Sequence, residues 1–427
     1  MRFAMLILCS VELANCSQAP DGSSPLPAVP PNGTSPQRLS ASGYKSLYSF
    51  KGGTDGALST SPLLDVNGIL YGTTQNGGTG CDSAGCGTIF TITPSGKERV
   101  LYRFKGGKDG SSPEASLVDV NGTLYGTTYG GGGTICYMKL GCGTVFAVTT
   151  TGKETVLHSF TGGAGDGAYP WAGLIDVKGT LYGTTVSGGT TDDGTVFTVS
   201  TSGAESLLYS FKGPPADGAS PVAPLLDVKG ELYGTTDGGG ANGPYDGTVF
   251  SITTSGQERV LHNFAGGTKD GAEPWAGLID VKGTLYGTTS EGGSTESECG
   301  NLLGSCGTVF AITTSGKESV LYHFMYHASR GKEDGWYPLA GLVYISSTLY
   351  GTTEYGGSKG CLIRGCGTVF CGHDVRQRAS TPQLWRNFGR RHKPVGGPHE
   401  DQRCTLRHNL IRRHERHGDS LQDLALA

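Results

Sequence analysis

Charge and long apolar stretches are both scarce in this 427-residue chain. Charged residues make up 16% of it and the formal net charge is −4, which is too small to indicate a nucleic-acid or anionic-membrane partner. No run of about 18 or more apolar residues occurs, so no segment is predicted to span a membrane as a helix. The sequence therefore disfavours a nucleic-acid-binding protein and a helical membrane protein.

Catalytic signatures and helical periodicity are missing as well. The sequence has no H-E-x-x-H zinc motif and no phosphate-binding loop that ends in Gly-Lys-Ser/Thr. Glycine, in contrast, is abundant, with 73 residues. Glycine-rich sequence without helical periodicity indicates short strands joined by tight turns. The chain is therefore predicted to be all-β.

The N-terminus resembles an export signal. Phe3–Leu8 is apolar, and the string Leu-Ala-Asn-Cys-Ser that ends at Ser17 resembles a bacterial lipobox. Residues 1–16 are thus predicted to direct export, with Cys16 as the lipidated residue; an ordinary signal peptide is the alternative. Residues 17–41 are rich in Ser, Pro and Gly, which is typical of a flexible linker.

A tandem repeat covers residues 42–370. The string L-Y-G-T-T occurs six times, and the distances between successive copies range from 51 to 64 residues. An Asp-Gly pair precedes each copy and a G-T-[VI]-F string follows it. The tyrosines are Tyr71, Tyr125, Tyr182, Tyr233, Tyr286 and Tyr350, and the phenylalanines that end G-T-[VI]-F are Phe90, Phe146, Phe197, Phe250, Phe310 and Phe370. A period close to 50 residues is typical of propeller blades and too long for solenoid coils.

Each repeat divides into four strands at its turn residues. In the second unit these are Ser116–Val120, Thr123–Thr128, Thr144–Thr149 and Glu154–Phe160. The pair Asn121-Gly122 separates the first two and suits a two-residue hairpin. Four antiparallel strands in sequence order form a meander, and tandem meanders of this length build a β-propeller.

The phase of the repeat predicts how the ring closes. Residues 42–50 match only the fourth strand of a unit, whereas the last unit stops after its third strand, at Phe370. The N-terminal strand is therefore expected to complete the last blade, which removes an unpaired sheet edge. The prediction is a β-propeller with six blades in this chain, and a monomer.

Eight cysteines occupy the loops before G-T-[VI]-F. They are spaced as four close pairs, Cys81/Cys86, Cys136/Cys142, Cys299/Cys306 and Cys361/Cys366. The third and fourth units have neither member of such a pair. Pairs that are present or absent together indicate disulfides in an oxidising compartment. Zinc binding is the alternative, but zinc sites prefer two intervening residues and need a second ligand pair.

The tail, residues 371–427, differs from the rest of the chain. It holds six of the ten histidines and ten arginines, and it contains no repeat string. A basic tail that binds nucleic acid or metal is one interpretation. The other is a frameshift, because codons can be chosen for Thr405–Gly418 that read LYGTTSYGGMNGTV one base later. Codons for Pro394–Leu406 similarly give PLAGLMKIKGAL, and those for Cys371–Arg378 give VVMTSGNE. We favour a frameshifted seventh repeat, which predicts a disordered tail here and seven blades in the parent protein.

The strings D-G-x-x-P, L-Y-G-T-T, G-T-V-F and S-G-K-E together resemble the gloeo/Verruco (GloVer) tandem repeat. The resemblance spans about residues 42–370. That family consists of predicted exported bacterial proteins with various anchors. The resemblance therefore implies an extracytoplasmic protein, secreted or lipid-anchored at the bacterial cell envelope. It implies no activity and no catalytic residues.

Recurrent residues predict structure rather than chemistry, because an active site usually breaks repeat symmetry. We therefore predict no catalytic residue, cofactor or metal site. His158 and His262 replace strand tyrosines and are expected to be half-buried. The aspartates of the Asp-Gly pairs are expected in turns; Ca²⁺ binding by them is the weaker alternative.

A group of aromatic residues lies beside the Asp-Gly turns. It consists of Tyr169, Trp171, Trp275, Trp336 and Tyr337. Exposed on one rim, these side chains could stack on sugar rings; the alternative is packing between neighbouring blades. The predicted function is a surface-anchored, non-catalytic module that binds a carbohydrate or a cell-surface protein. A structural cell-envelope protein and a propeller hydrolase or lyase are the alternatives.

Overall fold

The computed structural model describes residues 46–81, 83–133, 136, 141–293, 306–327, 332–333, 335–357, 367–373 and 386–387. Outside these ranges lie the predicted export segment, the whole predicted linker and most of the tail, and with them Cys16, Cys299, Cys361 and Cys366. Apart from a single 3₁₀ turn at Gly107–Asp109, the regular structure within the described ranges is β. None of the described residues forms a helix long and apolar enough to cross a membrane.

Six four-stranded antiparallel sheets form the blades of a β-propeller ring, as predicted. Blade 1 contains β1 (Leu64–Val66), β2 (Ile69–Thr74), β3 (Thr88–Ile92) and β4 (Glu98–Arg103). Blade 2 contains β5 (Val118–Val120), β6 (Thr123–Thr128), β7 (Thr144–Thr149) and β8 (Glu154–Ser159). The bounds predicted for the second unit therefore hold to within two residues.

From the third unit onward each blade is accompanied by a short two-stranded pair. The third unit runs through β9 (Gly167–Ala168), β10 (Ile175–Val177), β11 (Thr180–Thr185), β12 (Ser187–Gly188), β13 (Thr195–Ser200) and β14 (Glu205–Ser210). The fourth runs through β15 (Gly218–Ala219), β16 (Leu226–Val228), β17 (Glu231–Thr236), β18 (Gly238–Gly239), β19 (Thr248–Thr253) and β20 (Glu258–Asn263). In each of these two units the four longer strands form the blade in chain order, β10-β11-β13-β14 and β16-β17-β19-β20. The two-residue strands pair with each other, β9 with β12 and β15 with β18.

The fifth unit follows the same plan. In the sixth, both strands of the two-stranded pair precede the blade and the fourth strand comes from the tail. The fifth runs through β21 (Gly271–Ala272), β22 (Ile279–Val281), β23 (Thr284–Thr289), β24 (Glu291–Gly292), β25 (Thr308–Thr313) and β26 (Glu318–His323). The sixth runs through β27 (Tyr326–His327), β28 (Lys332–Glu333), β29 (Val343–Ile345), β30 (Thr348–Thr353), β31 (Thr368–His373) and β32 (Arg386–Asn387). Blade 6 therefore takes its fourth strand from the tail.

The glycine of L-Y-G-T-T makes room for the core of its own blade. Gly126 lies opposite Phe146 in the register of β6 and β7. A Cβ atom on Gly126 would lie 2.6 Å from Cζ of Phe146 and 2.9 Å from Cδ2 of Leu117. The phenylalanine ring thus fills the space that a side chain would need, and Phe146 is fully buried.

The two threonines of the same string hold the sheets together. Thr127 donates its hydroxyl to the carbonyl oxygen of Ala172 in the next blade (3.1 Å). Thr128 shares a hydrogen bond with Thr144 across the blade (2.8 Å). The equivalent bond between blades recurs in four other units and the equivalent threonine pair in five. Recurrence therefore reflects structure, as predicted.

Residues 46–50 pack as a fourth strand does. The ring of Phe50 lies 4.8 Å from that of Phe90, just as Phe104 of blade 1 lies 5.2 Å from Phe146 of blade 2. The hydroxyl of Tyr48 donates to Asp55 (2.7 Å), as strand-four tyrosines do elsewhere. The predicted phase of this segment agrees with these contacts.

The predicted role of this segment in completing blade 6 needs correction. The place next to β31 is occupied by β32, with Phe370 opposite Asn387 and Cys371 opposite Arg386. The tail follows β31 directly along the chain, so it can fold back onto that open edge as a hairpin and satisfy its backbone groups. In this structure, therefore, the N-terminal strand does not supply the fourth strand of blade 6.

The predicted disulfides are present where the structure describes them. Cys81 is bonded to Cys86 and Cys136 to Cys142. Cys306 is also disulfide-bonded. Each described bridge closes the loop between the second and third strands of a blade. Disulfides agree with an extracytoplasmic location.

Candidate ligand-binding face

One end of the propeller gathers the most variable residues of the repeat. First strands of neighbouring blades contact one another in blades 1 to 5, so they are the innermost strands. Because first and second strands are antiparallel, the start of one lies beside the end of the other. We define the axial face by three positions in each blade: a positive-φ residue before the first strand, the residue two places later, and the residue directly after the second strand.

The eighteen residues of the axial face are of nine different types. They are Leu58, Thr60 and Gln75; Ser112, Glu114 and Tyr129; Tyr169, Trp171 and Val186; Ser220, Val222 and Asp237; Glu273, Trp275 and Ser290; and Tyr337, Leu339 and Glu354. Aromatic and acidic side chains are frequent among them, and neither lysine nor arginine occurs. The face therefore favours neutral or cationic ligands over anionic ones.

Four aromatic rings meet on this face. Tyr129 stacks on Tyr169 at 4.9 Å and contacts Trp171 edge-on at 5.2 Å. Trp171 in turn lies 6.4 Å from Trp275, also edge-on. Trp171 belongs to blade 3 and Trp275 to blade 5. Because blade 4 lies between them, their proximity shows that both side chains point towards the propeller axis. Trp171 and Trp275 are half-buried, whereas Tyr169 is only 9% exposed and supports the others.

The remaining two predicted aromatic residues lie apart from this group. Trp336 is 6% exposed and belongs to a hydrophobic core cluster. Its ring lies 4.5 Å from that of Tyr355. Tyr337 is half-buried and does reach the axial face, 6.0 Å from Tyr355. The structure therefore brings Tyr169, Trp171 and Trp275 together, adds Tyr129, and leaves Trp336 in the core.

Carboxyl groups from blades 4 and 5 form an acidic group at the same end of the propeller. Burial raises the pKa of Asp237 to about 8, and the negative charges of Glu273 and Glu291 add to the effect. Burial, followed by the charge of Glu273, raises the pKa of Glu291 to about 7. Among the described residues, Oδ1 of Asp237 and Oε1 of Glu291 are buried and have no hydrogen-bond partner. A charged carboxylate oxygen is costly to bury without a partner, so burial favours the protonated form of both groups.

A second acidic group occurs on the opposite side of the aromatic residues. Burial raises the pKa of Glu114 to about 7, although the side-chain amide of Gln75 donates to it at 2.7 Å. Burial and the charge of Glu114 both raise the pKa of Tyr129. Acidic groups thus flank the rings on both sides.

These acids were missed by sequence analysis, which considered only the aromatic residues beside the Asp-Gly turns as ligand-binding candidates. Asp237 is the residue after L-Y-G-T-T, where the six units have six different residues: Gln, Tyr, Val, Asp, Ser and Glu. Aligning that single position would have revealed the break in symmetry. The location of these residues at one end follows only from the antiparallel register.

Two groups of side chains elsewhere have the composition of a metal site. Among the described residues these are His158, Asp166 and Glu205, and His262, Asp270 and Glu318, whose donor atoms lie within 4.8 Å of one another. Nε2 of His158 lies 3.3 Å from Asp166, and at an equivalent junction Tyr209 donates to Asp217 at 2.8 Å. Because a tyrosine makes the same contact, the histidines are explained by packing between blades, half-buried as predicted.

Fold and face together define a β-propeller repeat protein. The chain belongs to the Gloeobacter/Verrucomicrobia repeat family, which it matches over residues 33–138 and 134–370. Comparison with curated proteins finds no match.

Solved structures show similarity of fold at low identity. PorZ, an essential surface component of the type-IX secretion system of Porphyromonas gingivalis, is 14% identical with a TM-score of 0.42, covering 74% of this chain and 42% of PorZ. Dipeptidyl peptidase 4 of the same organism is 11% identical with a TM-score of 0.37, covering 75% and 44%. Trypanosoma rangeli sialidase is 11% identical with a TM-score of 0.41, covering 76% and 56%. The chain spans less than half of the first two proteins, and these similarities carry no argument about function.

Proposed function

We propose that this protein is an exported propeller that binds a neutral or amino sugar on its axial face without converting it. The observation that carries the proposal is the approach of Trp171 to Trp275 at 6.4 Å on a face that also carries the carboxyl groups of Asp237 and Glu273. Aromatic rings stack on the C–H faces of sugars, and carboxyl groups hydrogen-bond to their hydroxyls or amines. A sugar with a free amine would also offset the acidic charge.

A carbohydrate fits this face better than a cell-surface protein does. The tryptophans are half-buried and supported by tyrosines, so they offer rigid ring edges and faces of about the size of one or two sugar rings. A stable protein interface buries roughly 800 Å² on each partner, with exposed apolar side chains at its centre. The acidic, aromatic composition of the axial face matches the smaller ligand.

Binding to a panel of immobilised neutral, amino-sugar and uronic-acid oligosaccharides tests the proposal. The variants W171A and W275A should each weaken binding of neutral or amino sugars by about tenfold, the effect expected of an aromatic hot spot. Tyr245→Ala is the matched control, because Tyr245 is 61% exposed and lies outside the axial face. Equal binding by all four proteins, or a preference for uronic acids, would contradict the proposal.

A hydrolase is the second candidate, and one observation favours it. The raised pKa of Asp237, about 8, keeps its carboxyl protonated at neutral pH, as a general acid requires. Release of reducing sugar from the same oligosaccharides would reveal such an activity. Asp237→Asn should then abolish release while binding changes by less than threefold. No release by the unmodified chain leaves the non-catalytic proposal in place.

The anchor is part of the proposed function. We propose that Cys16 is lipidated and attaches the propeller to the bacterial envelope. Labelling with a palmitate analogue checks this, because Cys16→Ser should lose the label and appear in the medium. Label retained in that variant would place the lipid elsewhere.

A further inference from the structure

The five junctions from blade 1 through blade 6 contain the same apolar pair. A third-strand Val or Ile of one blade and a leucine before the first strand of the next share a hydrophobic cluster. The pairs are Ile89 with Leu117, Val145 with Leu174, Val196 with Leu225, Val249 with Leu278, and Val309 with Leu342. All five third-strand residues are 0% exposed, and all five leucines are 3–5% exposed.

The corresponding residues between blade 6 and blade 1 are exposed instead. Val369 of blade 6 is 51% exposed and Leu63 of blade 1 is 44% exposed. These are the equivalents of the valine and the leucine that pair at every other junction. Were blade 6 packed directly against blade 1, they would bury each other. Their exposure therefore indicates a space between blade 6 and blade 1, because neither residue is covered by its equivalent partner.

We infer that this space is the place of a seventh blade of the same repeat. One such blade would supply a leucine against Val369 and a valine against Leu63, and so bury both. It would also give the N-terminal strand a sheet to complete, because Phe50 already packs on Phe90 as a fourth-strand phenylalanine does. A blade of unrelated sequence would satisfy neither contact.

The coding sequence of the tail accounts for this blade over almost its whole length. Codons for Ala379–Leu384 can be chosen that read RVLHSF one base later, and those for Gly389–Arg391 read DGA. With the three strings already described, the shifted frame contains, in order, the fourth strand of blade 6, an Asp-Gly turn, and the first three strands of another unit. PLAGL contains the required leucine and GTV the required valine. The single tryptophan codon at Trp385 gives glycine in this frame, which also suits a turn.

In the present chain the tail replaces these strands with unrelated residues. Arg386–Asn387 takes the position that RVLHSF would take beside β31, and pairs with only two residues, Phe370 and Cys371. Fourth strands of the first five blades each span six residues. The shorter pairing agrees with a substitute rather than a native strand.

Two measurements test the inference. A gene recoded into the shifted frame after Phe370 should give a chain that melts higher and binds less of the dye ANS than the present one. Val369→Thr should then leave the melting temperature of the present chain unchanged, because Val369 is exposed, but lower that of the recoded chain by about 3 °C or more. Val309→Thr, at the equivalent buried position, should lower the melting temperature of both chains.

Specific results would overturn the inference. If Val369→Thr destabilises the present chain as much as Val309→Thr does, Val369 is already buried in solution and there is no space to fill. If the recoded chain is no more stable than the present one and is insensitive to Val369→Thr, the shifted frame does not form the missing blade.

Discussion

At the scale of single residues, the repeat is explained by the space and hydrogen bonds that each position must provide. The glycine of L-Y-G-T-T is required because the phenylalanine opposite it occupies the volume of a Cβ atom. The aspartate near the end of the first strand accepts a hydrogen bond from a glycine N–H three residues later, as Asp119 does from Gly122 at 3.0 Å. Such a hydrogen bond to the backbone two or three residues on is a common role of aspartate in turns. Each recurrent residue thus has a structural reason to recur.

Gly126 offers the sharpest test at this scale. Gly126→Ala should destabilise the protein by about 1–3 kcal/mol, since its methyl group would overlap the Phe146 ring in a fully packed core. Chemical denaturation gives the free energy of unfolding. Gly165→Ala is the control, because no other atom lies within 4 Å of the added methyl group. Equal stability of the two variants would show that Phe146 can move aside.

At the scale of elements, strands were predictable and their partners less so. The hairpin between the first and second strands forms at Asn121-Gly122, where both residues have positive φ, 53° and 81°. Asn and Gly tolerate positive φ, so the turn could be predicted from the sequence. The fourth strand of blade 6 was predicted wrongly because pairing depends on which free segment reaches an edge, and no local pattern records that. The axial acids were missed for a similar reason: their neighbours belong to other blades.

The hydrogen bond between blades is testable through Thr127. Thr127→Val keeps the shape but removes the donor to the buried carbonyl of Ala172, so stability should fall by about 1–2 kcal/mol. Denaturant titration provides the measurement. Thr198→Val serves for comparison, because the Thr198 hydroxyl bonds to Ser206 at an exposed position. A loss no larger than in that variant would mean that water satisfies the carbonyl.

At the scale of the whole molecule, the sequence predicted the class of fold, the family and the disulfides. It could not predict how tightly the ring closes, because closure depends on contacts between its two ends. It also could not locate the buried acids at the junctions between blades. Burial, followed in the first two cases by the charge of a nearby aspartate, raises the pKa of Glu154, Glu258 and Glu318 to about 7.

The raised pKa values of Glu154, Glu258 and Glu318 predict how the stability of the protein depends on pH. Their pKa values in the folded state lie above the unfolded value of about 4.5, so the folded protein binds more protons between pH 4.5 and 7. Their contribution to stability is therefore present below pH 4.5 and is lost as pH rises to about 7. Melting temperatures measured from pH 5 to pH 8 should fall, and the fall should be smaller in the triple variant E154Q/E258Q/E318Q. A melting temperature that rises over this range would contradict the prediction.

The left-handed backbone position on the axial face has a consequence for how such proteins diversify. The position has φ values between 53° and 65° although four different residue types occupy it, at Leu58, Ser112, Tyr169, Ser220, Glu273 and Tyr337. In five of the six the backbone N–H is held by the loop of the preceding blade, and in all six the carbonyl accepts a bond from the residue after the second strand. Main-chain bonds alone fix this conformation, so the side chain can be exchanged at little structural cost. We therefore expect that single substitutions at this position can change what the face binds while the loops keep their conformation.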